Sequence, residues 1–290
     1  MKALYDLSAP AKVNLFLHVI GRRPDGYHLL QSLFALIDWA DTLHIERRDD
    51  GALTRHDLGA ALPADDLCLR AARSLQQASA TAFGADIHID KRVPAGAGLG
   101  GGSSDAATTL LALNRLWGLN WPRERLAELA LHLGADVPFF VHGRNAFVQG
   151  IGERIAPVAL PRTWLAVVKP SASIATADIF GSANLERETP AVILADFLAD
   201  TQLSDSAQPG FGRNDLQPVA LERCHEVAEV AQWLQARFGN SRMSGSGSAV
   251  FARAGTGDRP LATWGAEELA PRWVGRMCRS LEQHPLAGWS

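Results

Sequence analysis

One stretch constrains this chain more than any other: Pro94-Ala-Gly-Ala-Gly-Leu-Gly-Gly-Gly-Ser-Ser-Asp105, with five glycines in the seven residues 96–102. Glycine tolerates positive φ and lets the backbone approach a ligand closely. Successive N–H groups in such a turn converge on an anion. An Ala/Leu-rich run over 103–117 follows and reads as a helix with serine and aspartate at its start. Its unpaired N–H groups and positive dipole end favour a phosphate chain at that mouth, where Ser103 and Ser104 add hydroxyl donors. A tight turn with serine caps would need fewer glycines. Walker A fails because no Gly-Lys-Ser/Thr follows. Gly96, Gly98 and Gly101 are spaced as G-x-G-x-x-G, but a dinucleotide site also needs a second parallel strand and an acid about 20 residues on. Here a further helical segment comes next. The loop is a phosphate cradle of neither common type.

Bulk properties exclude several classes. The 290 residues suggest one large or two smaller domains, and 47% hydrophobic content supplies a core. A net charge of -3 argues against wrapping nucleic acid. Cys68, Cys224 and Cys278 are too scattered for a disulfide framework or zinc ribbon. No stretch approaches the ~20 apolar residues of a membrane span, and no signal-peptide pattern opens the chain, so a cytoplasmic protein is expected.

Strands and helices alternate without a repeat. Strands are predicted over 8–21, 41–48, 85–93 and 164–168, and helices over 66–77, 123–133 and, as one long element, 215–238. Residues 202–212 read as a polar surface loop, and 242–253 as a second glycine-serine turn running into a strand. The pattern weakens at 157–161, which sets a boundary between domains 1–157 and 158–290, with the final tail packing back on the first.

The glycine loop, together with Pro10-Ala-Lys-Val-Asn-Leu15 and Met243-Ser-Gly-Ser-Gly-Ser248 in that order, resembles the GHMP kinases. Arg23-Pro-Asp-Gly-Tyr-His28, Leu133-Gly-Ala-Asp-Val-Pro-Phe-Phe140 and Asn214-Asp-Leu216 are similar to the branch that acts on a cytidine-diphosphate-linked sugar alcohol. The resemblance covers nearly the whole chain. It implies a two-domain α/β (α+β) fold, ribosomal-protein-S5-like in the N-terminal ATP-binding half and ferredoxin-like in the C-terminal substrate-binding half. It further implies transfer of the ATP γ-phosphoryl to the 2-hydroxyl of a methylerythritol unit, a step of non-mevalonate isoprenoid synthesis. The partners are then small molecules, with neither nucleic acid nor membrane, and the chain is a monomer or homodimer. ATP would lie on Pro94, Gly96, Gly98, Leu99, Gly100, Gly101, Gly102, Ser103 and Ser104. Mg2+ is expected with ATP, although no carboxylate cluster stands out to hold it.

Phosphoryl transfer needs positioning, stabilisation of spread negative charge, and a group to take the hydroxyl proton. Asp136 is the candidate base; on its residues alone an N-cap or turn aspartate is an equal reading, and the resemblance favours catalysis. Lys12 sits in an apolar strand where a charge needs a partner; a strand-end lysine in solvent is the alternative, and the resemblance pairs it with Asp136. Asn14, two residues on and on the same strand face, could bond a polyol or be structural. Tyr27 and His28 follow a Pro-Asp-Gly turn and read alone as ordinary surface; the resemblance makes them the cytosine site, closed by Phe180, with Thr176 and Gly245 also on the substrate. Lys91 and Lys169 are possible phosphate partners or solvated lysines. Asp66 stands where the family usually carries asparagine, which weakens any adenine contact carried over to it. A nicotinamide oxidoreductase, a GHMP kinase for another alcohol, and a non-catalytic nucleotide-binding regulator, which the presence of both Lys12 and Asp136 disfavours, are the competing readings.

Overall fold

The computed structural model describes residues 1–195 and 212–289; the loop expected at 202–212 lies, but for Gly212, outside the described residues. The chain opens with two very long strands, β1 (Ala3–Arg22) and β2 (His28–Arg48), joined by the Pro-Asp-Gly turn. Their antiparallel ladder is interrupted by register shifts, one between Pro10 and Lys12 and another between Asn14 and Phe16. Such bulges bend a strand and re-aim its side chains. The sequence pattern predicts only 41–48 as strand in the second of these, because residues 33–37 are apolar on both faces and show no alternation. Burial on both sides removes the period-2 signal.

β3 (Leu53–Asp57), β4 (Gly84–Asp90), β5 (Ala146–Gly150) and β6 (Arg154–Pro157) complete the first sheet in the order β3-β4-β2-β5-β6, with β1 on β2. Its helices are α1 (Leu67–Ser79), α2 (Gly101–Leu116), α3 (Arg123–Leu131) and α4 (Val137–His142). Asp66 caps α1 by accepting the Leu69 N–H at 3.1 Å, which starts that helix one residue later than predicted. Leu36, Ile45, Leu75, Ile87, Leu110 and Phe139 centre the core between this sheet and its helices.

The second sheet, β10-β7-β9-β8, is antiparallel and built from β7 (Trp164–Lys169), β8 (Arg242–Met243), β9 (Val250–Arg253) and β10 (Val274–Arg279). It carries α5 (Thr176–Phe180), α6 (Gln217–Arg223) and α7 (His225–Phe238). The single long helix expected over 215–238 is broken at Cys224: its N–H still closes the first helix on the Ala220 carbonyl at 2.9 Å, but the residue is extended at φ -139° and ψ 102°, so the second helix starts afresh after it. A third apolar cluster lies between the sheets, where Ala11, Val13 and Ile37 meet Leu165, Val167 and Phe251. The expected mixed α/β fold with two sheets is what the chain adopts. After β10 the chain returns to the first sheet: the Leu281 N–H donates to the Leu36 carbonyl at 2.8 Å and the His284 N–H to that of Gly143 at 2.8 Å.

Candidate active site

The two glycine turns cross each other and lock. Gly96, Gly98 and Gly100 all have φ between +61° and +72°. The Ser244 hydroxyl donates to the Gly98 carbonyl at 2.8 Å, and the Ala249 N–H donates to the Ala97 carbonyl at 3.1 Å. A Cβ on Gly98 would stand 2.1 Å from the Ser244 carbonyl oxygen, so only glycine allows this approach. β1 pins the same loop, its Lys12 N–H donating to the Leu99 carbonyl at 2.9 Å. Asn214 fixes the second turn by donating to the carbonyls of Met243 and Gly245, both at 2.8 Å. Its neighbour Asp215 accepts the Val19 N–H at 2.8 Å, which ties that turn to β1. The Asn-Asp-Leu signature is thus a bracket for the second turn.

Two clefts open on either side of the locked turns, and Gly96, Gly98 and Gly100 line both. The smaller, about 390 Å³, is bounded by Asp66, Leu67, Lys91 and Pro94 and by the glycine loop through Leu99, Gly101, Gly102 and Ser103. Gly100 is the N-cap of α2, so that helix's free N–H groups face this opening. Ser104 departs from the expectation of a hydroxyl at the mouth. It sits in the first turn of α2 on its buried side, fully enclosed, and its oxygen has no hydrogen-bond partner among the described residues. Lys91 is not solvated: it bridges Asp41 and, at 2.5 Å, Asp105. Burial pushes the Lys91 ammonium down, but these two carboxylates outweigh it and the net shift is upward. Burial likewise pushes the Asp105 carboxyl well up, against the pull of Lys91. Lys169 is also internal, donating to the carbonyls of Pro170 at 2.8 Å and Ala172 at 3.1 Å as a staple for that turn. Asp66 is engaged by its cap and by Arg55 at 2.8 Å.

The larger cleft, about 770 Å³, brings together Lys12, Asn14, Tyr27, His28, Asp136, Thr176, Phe180 and Gly245, residues spread over more than 230 positions of the chain. Lys12 is almost wholly enclosed, while the side chain of Asp136 is 33% exposed; the two lie 3.4 Å apart. Lys12 also donates to the Asn14 side-chain oxygen at 2.6 Å and lies over the Phe34 ring, 4.7 Å from its centre. The buried ammonium is thereby satisfied by a carboxylate, an amide oxygen and a π face. Asp136 stands at the N-cap position of α4, yet its side chain makes no capping bond. The carboxylate is left facing Lys12 and the cleft. Asn14 in turn donates to Ser32 at 2.9 Å.

At the far end, Tyr27 is 62% exposed beside His28, whose ring lies 4.9 Å from that of Phe180 at 30°. The pair crosses the molecule, from the start of β2 to the end of α5. The Thr176 hydroxyl is 2.7 Å from that of Ser246 on the second glycine turn. Burial first, then the charges of Arg187 and Arg22, lower the basicity of His28. Arg22 and Phe34 line this cleft without having been singled out in sequence, and so does Ser246 of the second glycine-serine turn. Arg22 lies just ahead of the Arg-Pro-Asp-Gly turn and carried no signal of its own.

A glycine-lined cleft opening beside an enclosed lysine and a part-exposed aspartate is an arrangement suited to phosphoryl transfer, and comparison with known proteins agrees. Residues 66–144 match the GHMP kinases N terminal domain and residues 198–262 the GHMP kinases C terminal. The chain is a small-molecule kinase of the GHMP family, whose members use ATP. The 4-diphosphocytidyl-2-C-methyl-D-erythritol kinase of Methylibium petroleiphilum is 64% identical, covering 100% of this chain and 99% of that one. That of Variovorax paradoxus is 54% identical over the full length of both. A crystal structure of 4-(cytidine 5'-diphospho)-2C-methyl-D-erythritol kinase superposes with a TM-score of 0.79 at 35% identity, covering 95% of this chain and 99% of that one. The chain therefore belongs to the 4-diphosphocytidyl-2-C-methyl-D-erythritol kinase family. A homoserine kinase from Cytophaga hutchinsonii, 14% identical with a TM-score of 0.68 over 98% of this chain and 96% of that one, shares the fold.

Proposed function

We propose that this chain transfers the γ-phosphoryl of ATP to the 2-hydroxyl of 4-diphosphocytidyl-2-C-methyl-D-erythritol, giving the 2-phosphate and ADP in non-mevalonate isoprenoid synthesis. The observation that carries this reading is the Lys12–Asp136 pair standing in one cleft while Gly96, Gly98 and Gly100 line that cleft and the smaller one together. ATP occupies the smaller cleft, its phosphates on the glycine N–H groups and the start of α2. The acceptor alcohol comes from the larger cleft. Asp136 takes the hydroxyl proton as the oxygen attacks the γ-phosphorus, the bond to the β-phosphate oxygen breaks, and ADP leaves. Lys12, 3.4 Å from that carboxylate, holds it in place and offsets charge on the transferring group.

The base of the acceptor lies between Tyr27 and Phe180 against His28, with Thr176 and Gly245 toward its diphosphate and Asn14 toward the polyol. The tilted His28–Phe180 aromatic pair supports a nucleobase-bearing alcohol over a simple sugar. Mg2+ accompanies ATP. Among the described residues no group of three or more His, Cys, Asp or Glu could hold a metal, and Asp136 is the one carboxylate lining the larger cleft. The donors do not form a magnesium cage of their own, so the ion would be held largely by phosphates and water with one or two protein groups. In the same reading, domains 1–157 and 158–290 meet at the site, and the chain works in the cytoplasm as a monomer or homodimer. Among the described residues, no helix is long and apolar enough to cross a membrane.

The test is ADP release with 4-diphosphocytidyl-2-C-methyl-D-erythritol, run beside galactose, homoserine and mevalonate. Turnover with the cytidylyl compound alone is expected. Turnover only with another alcohol would discard the acceptor and keep the kinase.

A further inference from the structure

Arg187 belongs to the charged run Glu186-Arg187-Glu188, which reads as solvated surface. Its guanidinium instead makes four hydrogen bonds. It donates to the carbonyls of Ser182 at 2.6 Å, Leu185 at 3.0 Å and Phe180 at 3.2 Å, and its Nε–H donates to His28 Nε2 at 3.3 Å. The backbone that carries Phe180 and the ring that Phe180 stacks on are therefore held by one rigid, planar fork. The rest of this segment is anchored too: the Thr189 N–H donates to the Val19 carbonyl at 3.1 Å, and its hydroxyl donates to Asp215 at 2.6 Å.

A guanidinium only donates, so the nitrogen it faces must carry the lone pair. A neutral imidazole has a single N–H. Arg187 therefore leaves the His28 proton on Nδ1, in a cleft where the base edge of cytosine offers the acceptors N3 and O2. The charged groups acting on His28 are Arg187 and Arg22, both positive, and both oppose a second proton on the ring. We propose that Arg187 is a positioning residue for acceptor recognition: it fixes His28 as the Nδ1–H tautomer and holds the Phe180 side of the base site against it. This rests on the reading of the larger cleft as a cytidylyl site. Nothing in the reaction is routed through Arg187 itself.

The experiment uses the full chain with 15N-labelled imidazoles and follows the two-bond 15N–1H pattern of His28, alongside steady-state kinetics for both substrates. In the free enzyme His28 is expected with its proton on Nδ1. In Arg187→Met the proton moves to Nε2, and KM for the cytidylyl substrate rises on the order of tenfold, the scale of a lost charge-assisted hydrogen bond. The turnover number and KM for ATP hold within about twofold, because only binding remote from the transferring group is lost. Arg187→Lys, which keeps a donor without the fork, falls between the two. If Arg187→Met does not fold, the wild-type tautomer and the lysine variant carry the test. A wild-type proton on Nε2 would overturn the proposal. So would an unchanged KM in a variant whose tautomer has moved, or a variant that only melts earlier with KM intact. If the wild-type enzyme ignores the cytidylyl substrate, it is the proposed function that fails, while the free-enzyme spectrum still decides whether Arg187 sets the ring.

Discussion

Two glycines with the same backbone conformation offer a direct measure of what the crossing of the turns contributes. Gly98 and Gly118 both have φ +70°, but a Cβ on Gly118 would meet nothing within 4 Å, whereas on Gly98 it would stand 2.1 Å from the Ser244 carbonyl oxygen. Gly118→Ala therefore isolates the cost of a left-handed alanine, about 1–2 kcal/mol. Gly98→Ala adds a collision with backbone that cannot swing aside. Restoring an ordinary C···O contact of about 3.3 Å means parting the turns by roughly 1 Å. That strains or breaks the bonds from Ser244 to Gly98 and from Ala249 to Ala97, each worth about 1 kcal/mol net. The total is roughly 3–4 kcal/mol. At about 2–4 °C per kcal/mol, Gly118→Ala should lower Tm by about 2–8 °C and Gly98→Ala by about 6–16 °C. Because Gly98 lines both clefts, a shift of this size should also cost on the order of 10²-fold in kcat/KM, while Gly118→Ala stays fully active. Thermal melts and initial rates on the two purified variants decide it. Equal Tm losses with both enzymes active would refute the reasoning, since the turns would then not be locked at Gly98.

Asp136→Asn should fold and bind ATP normally, because the carboxylate caps nothing, but lose on the order of 10²–10⁴ in kcat; near wild-type turnover would remove its role as base. Phe180→Ala and Tyr27→Ala should each raise KM for the cytidylyl acceptor, on the scale of about 1–3 kcal/mol per stacked base, with KM for ATP unmoved; a change confined to ATP would count against the base site. The buried ring of His284 has its pKa lowered to about 3 by desolvation and then by the Arg123 charge, and its Nδ1 accepts the Leu286 N–H. Below its unfolded value of about 6.5 the unfolded chain takes the proton first, so this contribution is complete above that pH and is lost as pH falls toward 3. Between pH 7 and 5 the loss is about 2 kcal/mol, and His284→Asn should flatten denaturation midpoints across that interval; parallel slopes for both proteins would contradict it.

The parts of the site that could be read from the sequence are those where chemistry needs an unusual residue in a local pattern. Five glycines before a helix announce a cradle, and a lysine within an apolar strand announces a buried partner. What the sequence left open was decided by long-range geometry. Asp136 could equally have been a cap until its side chain was seen to turn away from the α4 N–H groups. Ser104 reads like Ser103, but one position around α2 moves it from mouth to core. Lys91 looks solvated until β2 brings Asp41 and α2 brings Asp105 to it. Arg187 gave no signal, since its charged neighbours have the composition of a surface and its partners lie in a turn and on a strand 159 positions away. The elements were missed for a similar reason: residues 33–37 of β2 are apolar on both faces, and the break at Cys224 is a single extended residue in a helix-like pattern.

The return of the chain after β10 has a mechanical consequence. Arg123 on α3 donates to the carbonyls of Leu286 at 3.2 Å and Ala287 at 2.8 Å, and the Asn145 amide donates to that of Leu281 at 2.8 Å. The two sheets are therefore joined by two separate spans of backbone, one leaving β6 for β7 and one leaving β10 for the tail. A body held at one point can swivel in any direction, whereas one held at several cannot. The tail is thus a second bearing between the sheets, besides the crossed glycine turns and the apolar cluster between them. Cutting the tail free, by Arg123→Met with Asn145→Ala, should loosen the bearing without touching a residue that lines either cleft.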